Sequence, residues 1–455
     1  MRSIAVIGGG AAGAAVFGEL LRVRPEGRVH WISGCESPGR GVAYSTRDES
    51  HLLNVRASGM GVFADDDGKF TDFARERFPE TQGSDFLSRY LFGDFIQAQV
   101  ADEIRSARIS GYPFVVSSSS AVRMTASPDS GYRVILDDGS DLHADAAILA
   151  PGVPVPQPLA CVGEESLNSG GYCVDPWRLA EWDIHPAPRR IMVLGTGLTA
   201  VDMLLSVALR WPQAEILAVS RHGRFPVTHP RLPADPYPHR EQLNQALLSC
   251  DRVADMFRLF RHHLKESGAD PASVVESMRP VNVPLWQKLS TRERVRFLRH
   301  LRRLWDPVRH RMPPASAWQL RELEEQGRLK VMAARIERVQ GKTPLLVTLR
   351  PPGNTGPAKI EADLLVQATG LNLSVARSRN PLLLQLLEDG LIDADPLGLG
   401  YRATADFRVL DRNGEAQDKL YAIGPLLVGN FWECIAMPEL RVTARQIAEA
   451  LAKPH

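Results

Sequence analysis

Ile4-Ala5-Val6-Ile7-Gly8-Gly9-Gly10-Ala11-Ala12-Gly13, near the beginning of the chain, joins a short apolar run to three spaced glycines. The apolar run predicts a buried strand, and the Ala-rich sequence after the glycines predicts a helix. In a GxGxxG turn, Gly8 makes the tight turn, Gly10 lets a pyrophosphate approach the backbone, and Gly13 lets the helix pack closely. With a second strand over 29–32, the pattern predicts a strand–helix–strand unit that binds a dinucleotide.

A second unit of the same kind begins at Ile191-Met192-Val193-Leu194. The turn that follows, Gly195-Thr196-Gly197-Leu198-Thr199-Ala200, has the form GxGxxA, a variant common at NADP sites. The next strand ends in Ser220-Arg221-His222, where an acidic residue would repel a 2′-phosphate and a guanidinium can bind it. We therefore expect NADPH rather than NADH here; the alternative is that Arg221 is a solvated loop charge.

The order of these elements predicts an α/β protein with two Rossmann-like dinucleotide-binding domains. We expect an FAD-binding domain formed by 1–155 and 360–455. An NAD(P)H-binding domain over 186–359 is then inserted into it, and this domain carries a helical insertion at about 240–327.

Composition excludes several classes of protein. Lys and Arg total 54 against 53 Asp and Glu, a formal net charge of +1, which argues against a nucleic-acid or membrane-surface partner. No apolar run approaches the length of a membrane span. The N-terminus lacks the pattern of a signal peptide, so we expect a cytoplasmic protein of unknown oligomeric state.

The five cysteines are scattered, with no CxxC pair and no Cys/His cluster. We therefore expect neither a metal site nor a dithiol redox centre.

Several further stretches resemble the bacterial FAD/NAD(P)-binding protein family, which is mostly uncharacterised. The resemblance covers nearly the whole chain and rests on the combination of these stretches rather than on any one of them. They are Arg40 to Thr46, Leu53-Asn54-Val55, Met60, Ser220 to Gly223 with Pro226, Trp305-Asp306, Arg309-His310-Arg311, Ser378 to Leu382, Pro396 to Gly400, Gly424-Pro425-Leu426 and Phe431-Trp432-Glu433.

The family is related to two-dinucleotide-binding flavoproteins, including flavin-dependent N-hydroxylating monooxygenases. Their Asp-x-x-x-Leu/Phe-Ala-Thr-Gly signature is partly present at Asp363 to Gly370, where Gln367 replaces the apolar residue. It is also partly present at Asp145 to Gly152, where Pro151 replaces Thr.

The resemblance implies an FAD-dependent, NADPH-consuming monooxygenase that oxidises a small amine or amino acid with O₂ through a C4a-(hydro)peroxyflavin. In such enzymes the flavin, not a protein side chain, carries the chemistry. The alternatives are an NAD(P)H:acceptor reductase without oxygen transfer and a non-catalytic nucleotide-binding sensor.

The expected cofactor contacts come from the two glycine turns, the loop after the second strand and the small residues that end later strands. The usual acidic ribose ligand of the first site is missing, and Ser33 stands in its place. For FAD the residues are Gly8, Gly10, Ala12, Gly13, Ser33, Arg40, Gly41, Asn54, Val55, Met60, Gly152 and Gly424. For NADPH they are Gly195, Gly197, Leu198, Thr199, Ala200, Ser220, Arg221 and His222.

Three groups of residues have two interpretations each. Arg40, Asn54 and Arg56 either contact flavin or substrate carboxylate, or form structural salt bridges. Trp432 and Glu433 either line the reactive face of the flavin or pack in the core. The stretch from Ser290 to Arg311 has eight arginines and is either a basic lid or a solvated helix face.

Overall fold

The computed structural model describes residues 2–127, 130–233, 236–353 and 356–453. The expected domain ends at residues 1 and 455 lie outside these ranges. The strands are β1 (Ser3–Ile7), β2 (Arg28–Ile32), β3 (Phe114–Ser117), β4 (Ala121–Ala126), β5 (Tyr132–Leu136), β6 (Asp141–Ala144), β7 (Ala146–Leu149), β8 (Tyr172–Cys173), β9 (Arg190–Leu194), β10 (Glu215–Ser220), β11 (Leu329–Ala333), β12 (Arg335–Gln340), β13 (Leu345–Arg350), β14 (Ala358–Ala362), β15 (Leu364–Gln367), β16 (Arg408–Leu410) and β17 (Ala416–Ala422).

The helices include a long segment between β10 and β11, where the sequence predicted helix at about 240–327. They are α1 (Ala11–Val23), α2 (Gly41–Tyr44), α3 (Lys69–Arg77), α4 (Arg89–Ile109), α5 (Glu164–Leu167), α6 (Leu198–Arg210), α7 (Arg240–Leu248), α8 (Val253–Ser267), α9 (Pro271–Ser277), α10 (Asn282–Lys288), α11 (Thr291–Arg296), α12 (Arg302–Arg309), α13 (Pro314–Glu325), α14 (Pro381–Glu388) and α15 (Met437–Ala452). A π-helical turn over Phe297–Leu301 joins α11 to α12.

The first sheet has the strand order β16-β17-β7-β1-β2-β3, and all of its pairs are parallel except β16 with β17. Side chains of a strand alternate between its two faces, so Ile4 and Val6 of β1 enter one core and Ala5 and Ile7 enter the other. Helices α1, α4 and α15 cover the first of these faces. The antiparallel strands β4 to β6, together with α14, cover the second.

The second sheet repeats this plan with the order β11-β10-β9-β15-β8, in which every pair is parallel. Ile191 and Val193 of β9 face a core built with α6 and α13, whereas Met192 and Leu194 face a core built with β12 to β14. Two Rossmann-like units in one chain, with the second inserted into the first, are therefore confirmed as the fold class.

The domain boundaries differ from the expected ones at both ends of the insertion. The sequence predicts 360–367 in the first unit, but β15 pairs with β9 in the second sheet, so the first unit resumes after Gln367. At the other end, β8 pairs with β15, so the second unit begins before Tyr172 rather than at 186. Strand β8 has only two residues and therefore no periodicity from which it could be predicted.

The two units are joined through buried polar contacts on α6. Arg89 of α4 lies 3.1 Å from the carboxylate of Asp202, whose side chain is only 5% exposed. Burial raises the pKa of Asp202 above its ordinary value, and Arg89 opposes that shift. Beside this pair, His51 Nε2 lies 2.7 Å from Ser206 Oγ, also on α6. A charge this deeply buried is tolerated only with its partner in place.

Replacing Arg89 with Met should therefore destabilise the protein by about 3–5 kcal/mol, because the carboxylate of Asp202 would remain buried without a cation. The double variant Arg89→Met/Asp202→Leu should recover most of that loss in urea unfolding. The matched control is Arg105→Met, which breaks an exposed pair with Asp102 on the same helix and should cost less than about 1 kcal/mol. Equal losses in the two single variants would contradict a structural role for the buried pair.

Candidate dinucleotide sites around a shared cavity

The first glycine turn has the geometry that its sequence predicted. Gly8 has φ +130°, and a Cβ there would lie 2.0 Å from the carbonyl oxygen of Ala150 at the end of β7. A Cβ on Gly13 would lie 2.0 Å from the carbonyl oxygen of Gly8, so the helix packs directly on the turn. Gly10 caps α1 with φ −80° and ψ −175°, and a Cβ there would meet only the Cα of Gly41, at 3.6 Å.

The second turn repeats this geometry closely. Gly195 has φ +123°, and its Cβ would lie 2.1 Å from the carbonyl oxygen of Ala368, just after β15. Gly197 caps α6 with φ −78° and ψ −175°, and a Cβ there would meet nothing within 4 Å. The Cβ of Ala200 lies 3.6 Å from the position that a Cβ on Gly195 would take. This close packing of helix against turn explains why the third small residue of the GxGxxA motif is an alanine and not a larger residue.

Both helix N-termini open into one cavity of about 1800 Å³. Neither helix has an acidic residue in its first turn or a side chain that caps it. The first N–H groups of a helix have no intrahelical partner and lie at the positive end of its dipole, so each terminus favours an anion such as phosphate. The cavity is therefore bordered by two helix ends that favour an anion, one from each Rossmann-like unit.

Most of the expected FAD residues line this cavity, namely Gly10, Ala12, Arg40, Gly41, Asn54, Val55, Met60 and Gly152. Gly8, Gly13 and Gly424 lie outside its lining and support the turn; a Cβ on Gly424 would lie 3.7 Å from that of Ala12. Ser33 also lies outside the lining. Its buried hydroxyl is 2.8 Å from the carbonyl oxygen of Ser117 and 2.7 Å from that of Cys35, so it is occupied by the backbone.

The arginines of the loop after β2 are held by other parts of the protein. Arg40 pairs with Asp94, donates to Gln97 Oε1 at 2.9 Å, and stacks on Tyr90. Its charge is therefore neutralised, which favours the structural interpretation, although the side chain borders the cavity.

Arg56 makes a different kind of contact, to backbone carbonyl groups of both units. It donates to Ser84 at 2.6 Å, and to Pro230 and Arg231 of the second unit at 2.6 and 3.1 Å. The backbone carbonyl of its neighbour Asn54 lies 3.1 Å from Nε2 of His229. This loop therefore ties the two units together at the cavity wall.

Trp432 and Glu433 bring the C-terminal segment against the helical segment. Glu433, in the left-handed region with φ +72°, accepts hydrogen bonds from Trp305 Nε1 at 2.7 Å and Arg309 Nε at 2.6 Å. Trp432 stacks on Trp286 with 4.7 Å between ring centroids. Both residues are buried and both border the cavity, so they pack in the core and also line the cavity.

The eight arginines between Ser290 and Arg311 fall into two groups, one that lines the cavity and one that does not. Arg302, Arg303, Arg309 and Arg311 line the cavity. The remaining arginines do not line it, and they face solvent or bond to neighbouring backbone and side chains. They are Arg292, Arg294, Arg296 and Arg299.

The end of β10 has a strongly basic surface. Arg221 and His222 are exposed at the cavity edge, and Ser220 Oγ lies 2.9 Å from Thr196 Oγ1 within the turn. Partial burial lowers the pKa of His222, and the cations Arg303, Arg221, Arg224 and Arg335 lower it further. No carboxylate oxygen of the described residues lies within 4.0 Å of these four arginines.

A second polar group in the cavity was not predicted from sequence. Burial alone would raise the pKa of Glu276, but Arg309, Arg279 and Arg311 surround it and lower that pKa overall. Near it, Asn244 donates to the Ser277 carbonyl at 3.0 Å, while its Oδ1 is buried with no partner among the described residues. These residues come from α7, α9 and the turn after it, and α12 and the segment after it, so no local motif could have revealed them.

The remaining expectations concern metal and membrane. Within 2–127, 130–233, 236–353 and 356–453, no three His, Cys, Asp or Glu side chains are grouped to hold a metal ion. All five cysteines are free thiols. Over the same ranges, none of the helices has the length and apolar character needed to cross a membrane.

Residues 5–154 match a family described as FAD-NAD(P)-binding. No curated protein matches the chain. Among solved structures, an ornithine N-hydroxylase of Kutzneria sp. 744 is 15% identical with a TM-score of 0.67, covering 99% of both chains. L-lysine 6-monooxygenase of Pseudomonas syringae is 17% identical with a TM-score of 0.67, covering 99% of this chain and 98% of the other.

A cadaverine monooxygenase of Erwinia amylovora, solved with FAD, is 13% identical with a TM-score of 0.66, covering 99% of this chain and 95% of the other. At these identities the likeness shows a common fold. The expected resemblance is therefore confirmed: the chain matches the FAD-NAD(P)-binding family over residues 5–154 and shares the fold of the N-hydroxylating flavoproteins along its length.

Proposed function

We propose that this protein is an FAD-dependent, NADPH-consuming monooxygenase that hydroxylates the nitrogen of a small amine or amino acid. The observation that carries the proposal is the single cavity of about 1800 Å³ into which both helix N-termini open. Two dinucleotides bound at these ends would reach towards a common space, as hydride transfer between them requires. Monooxygenases with this fold act, by their names, on ornithine, lysine and cadaverine.

The residues at the first end fit FAD. The open space at Gly10 and the uncapped N-terminus of α1 would receive the pyrophosphate. The backbone of the loop through Gly41 and Asn54 would border the rest of the cofactor. When bound, FAD would supply the redox chemistry by accepting hydride from NADPH and activating O₂.

The residues at the second end fit NADPH. The uncapped N-terminus of α6 would receive its pyrophosphate, and Arg221 with Arg224 and Arg303 would receive the 2′-phosphate. A phosphate there would also relieve the repulsion among these unpaired cations.

The polar group around Glu276 would hold the substrate. The unpartnered Oδ1 of Asn244 and the carboxylate of Glu276 can accept hydrogen bonds from an ammonium group. Arg311, buried and with Nε unpartnered among the described residues, can donate to a carboxylate. Such groups would orient a zwitterion at the wall of the cavity.

The reaction consumes one amine, one O₂, one NADPH and one proton, and it yields one hydroxylamine, one NADP⁺ and one water. The rival reaction of a plain reductase passes the electrons of NADPH to a quinone or dye. A sensor would bind the nucleotides without turnover.

Valine at Gly10 should give a soluble protein that purifies without the yellow colour of FAD, because the side chain would enter the space meant for pyrophosphate. The backbone there is extended, so valine fits without strain. Gly197→Val is the matched variant in the second turn. It should stay yellow and be bleached by dithionite but not by NADPH. Retention of stoichiometric flavin by Gly10→Val would show that FAD binds elsewhere.

Arg221→Ala should weaken the binding of NADPH by roughly 10- to 100-fold, because a charge-assisted bond to the 2′-phosphate is lost. The affinity for NADH should stay nearly unchanged. The measurement is the apparent KM of each cofactor in anaerobic flavin reduction. Arg321→Ala removes an exposed arginine of α13 outside the cavity and should alter neither value. A parallel loss for NADH would refute the 2′-phosphate assignment.

A screen of amino acids and polyamines should identify an amine that accelerates NADPH oxidation, with O₂ consumed and hydroxylamine formed in a ratio of one to one. Without it, O₂ should be used slowly and returned as hydrogen peroxide. Rapid reduction of quinones under nitrogen, with no amine stimulating the rate, would establish the reductase instead. A protein that binds FAD but that NADPH never bleaches would establish the sensor.

A further inference from the structure

A second cavity, of about 490 Å³, lies inside the helical segment. Its wall is built from apolar side chains of α8, α9, α10, the π-helical turn and α12. They include Phe260, Val275, Leu285, Phe297 and Leu304, and Trp432 of the C-terminal segment completes the wall. Trp432 also lines the large cavity, as do Arg224, Arg303 and Pro307, so the two spaces share part of their walls. The volume falls within the range of small-molecule sites.

The charged residues around this second cavity all have one sign. They are Arg224, Arg261 and Arg303, and among the described residues no Asp or Glu lines it. All three are exposed, and none has a carboxylate oxygen of the described residues within 4.0 Å. Arg261 lies over the ring of Phe257 at 6.0 Å, with its guanidinium free of ionic partners. An apolar interior with an unpaired cationic rim is complementary to an amphipathic anion.

We propose that this cavity binds a free medium-chain carboxylate. The hydrocarbon chain lies among the aromatic and aliphatic side chains, and the carboxylate is held by Arg261, the rim arginine that lines this cavity and not the large one. The site is separate from the one that holds the small amine, and it does not depend on cofactor chemistry. Because Trp432 is common to both walls, its occupant contacts a residue that borders the large cavity.

The first test measures binding of hexanoate, octanoate and decanoate to the purified protein by calorimetry. Burial of each added methylene should tighten binding by about two- to fourfold. Decanol and decylamine should bind at least about tenfold more weakly than decanoate, since they lack the charge that the arginines attract. 10-Bromodecanoate should quench tryptophan fluorescence, because Trp286, Trp305 and Trp432 line the cavity and bromine quenches on contact.

The second test uses two charge reversals at exposed positions. Arg261→Glu should weaken the binding of decanoate by at least about tenfold by placing a like charge beside the carboxylate. Lys330→Glu makes the same change in net charge on β11, at a residue that lines neither cavity, and should leave affinity unchanged. Both positions are exposed, so both variants should fold.

The proposal is overturned if affinity does not rise with chain length, if decylamine binds as well as decanoate, or if the two reversals have equal effects. It is also overturned if sedimentation shows a dimer that Leu304→Glu dissociates, since a second copy would then cover the cavity. None of these readouts requires turnover, so failure of the monooxygenase proposal would leave this result intact.

Discussion

The N–H groups at the start of α1 and α6 have no partner within their helices, and the surrounding fold leaves them accessible. Each helix must begin immediately beyond the end of a central parallel strand. That is possible only because Gly8 and Gly195 bring their backbones against the carbonyls of Ala150 and Ala368, where any Cβ would overlap the oxygen. The same constraint, met twice with nearly equal dihedral angles at Gly10 and Gly197, places two positive helix ends at one cavity.

Arginine serves opposite purposes on the two sides of that cavity. On the first unit, Arg40 and Arg89 are paired with carboxylates, and Arg56 is bonded to carbonyls, so these side chains hold the loops and the two units together. At the end of β10, Arg221 and its neighbours have no such partner among the described residues, and their charges lower the pKa of His222. Folding alone gains nothing from crowded like charges, which supports the proposal that these arginines bind an anion.

Sequence could not distinguish these two kinds of arginine, because the distinction depends on partners distant along the chain. Asp94 lies 54 residues from Arg40, and the carbonyl of Pro230 lies 174 residues from Arg56. The group around Glu276 was missed for the same reason. Ser33 shows the converse: its position matched a ribose ligand, but the carbonyls of Ser117 and Cys35 occupy its hydroxyl.

The sequence by itself determined the two Rossmann-like units, the glycine geometry and the insertion of one unit into the other, since each depends on local patterns of apolar residues and glycine. The tertiary structure alone decided that β8 and β15 belong to the second sheet, because pairing of short strands depends on neighbours and not on their own sequence. It also decided which charges are neutralised and that a second, apolar cavity lies beside Trp432. Such features arise from side chains that meet only after the chain has folded, and no spacing along the chain encodes them.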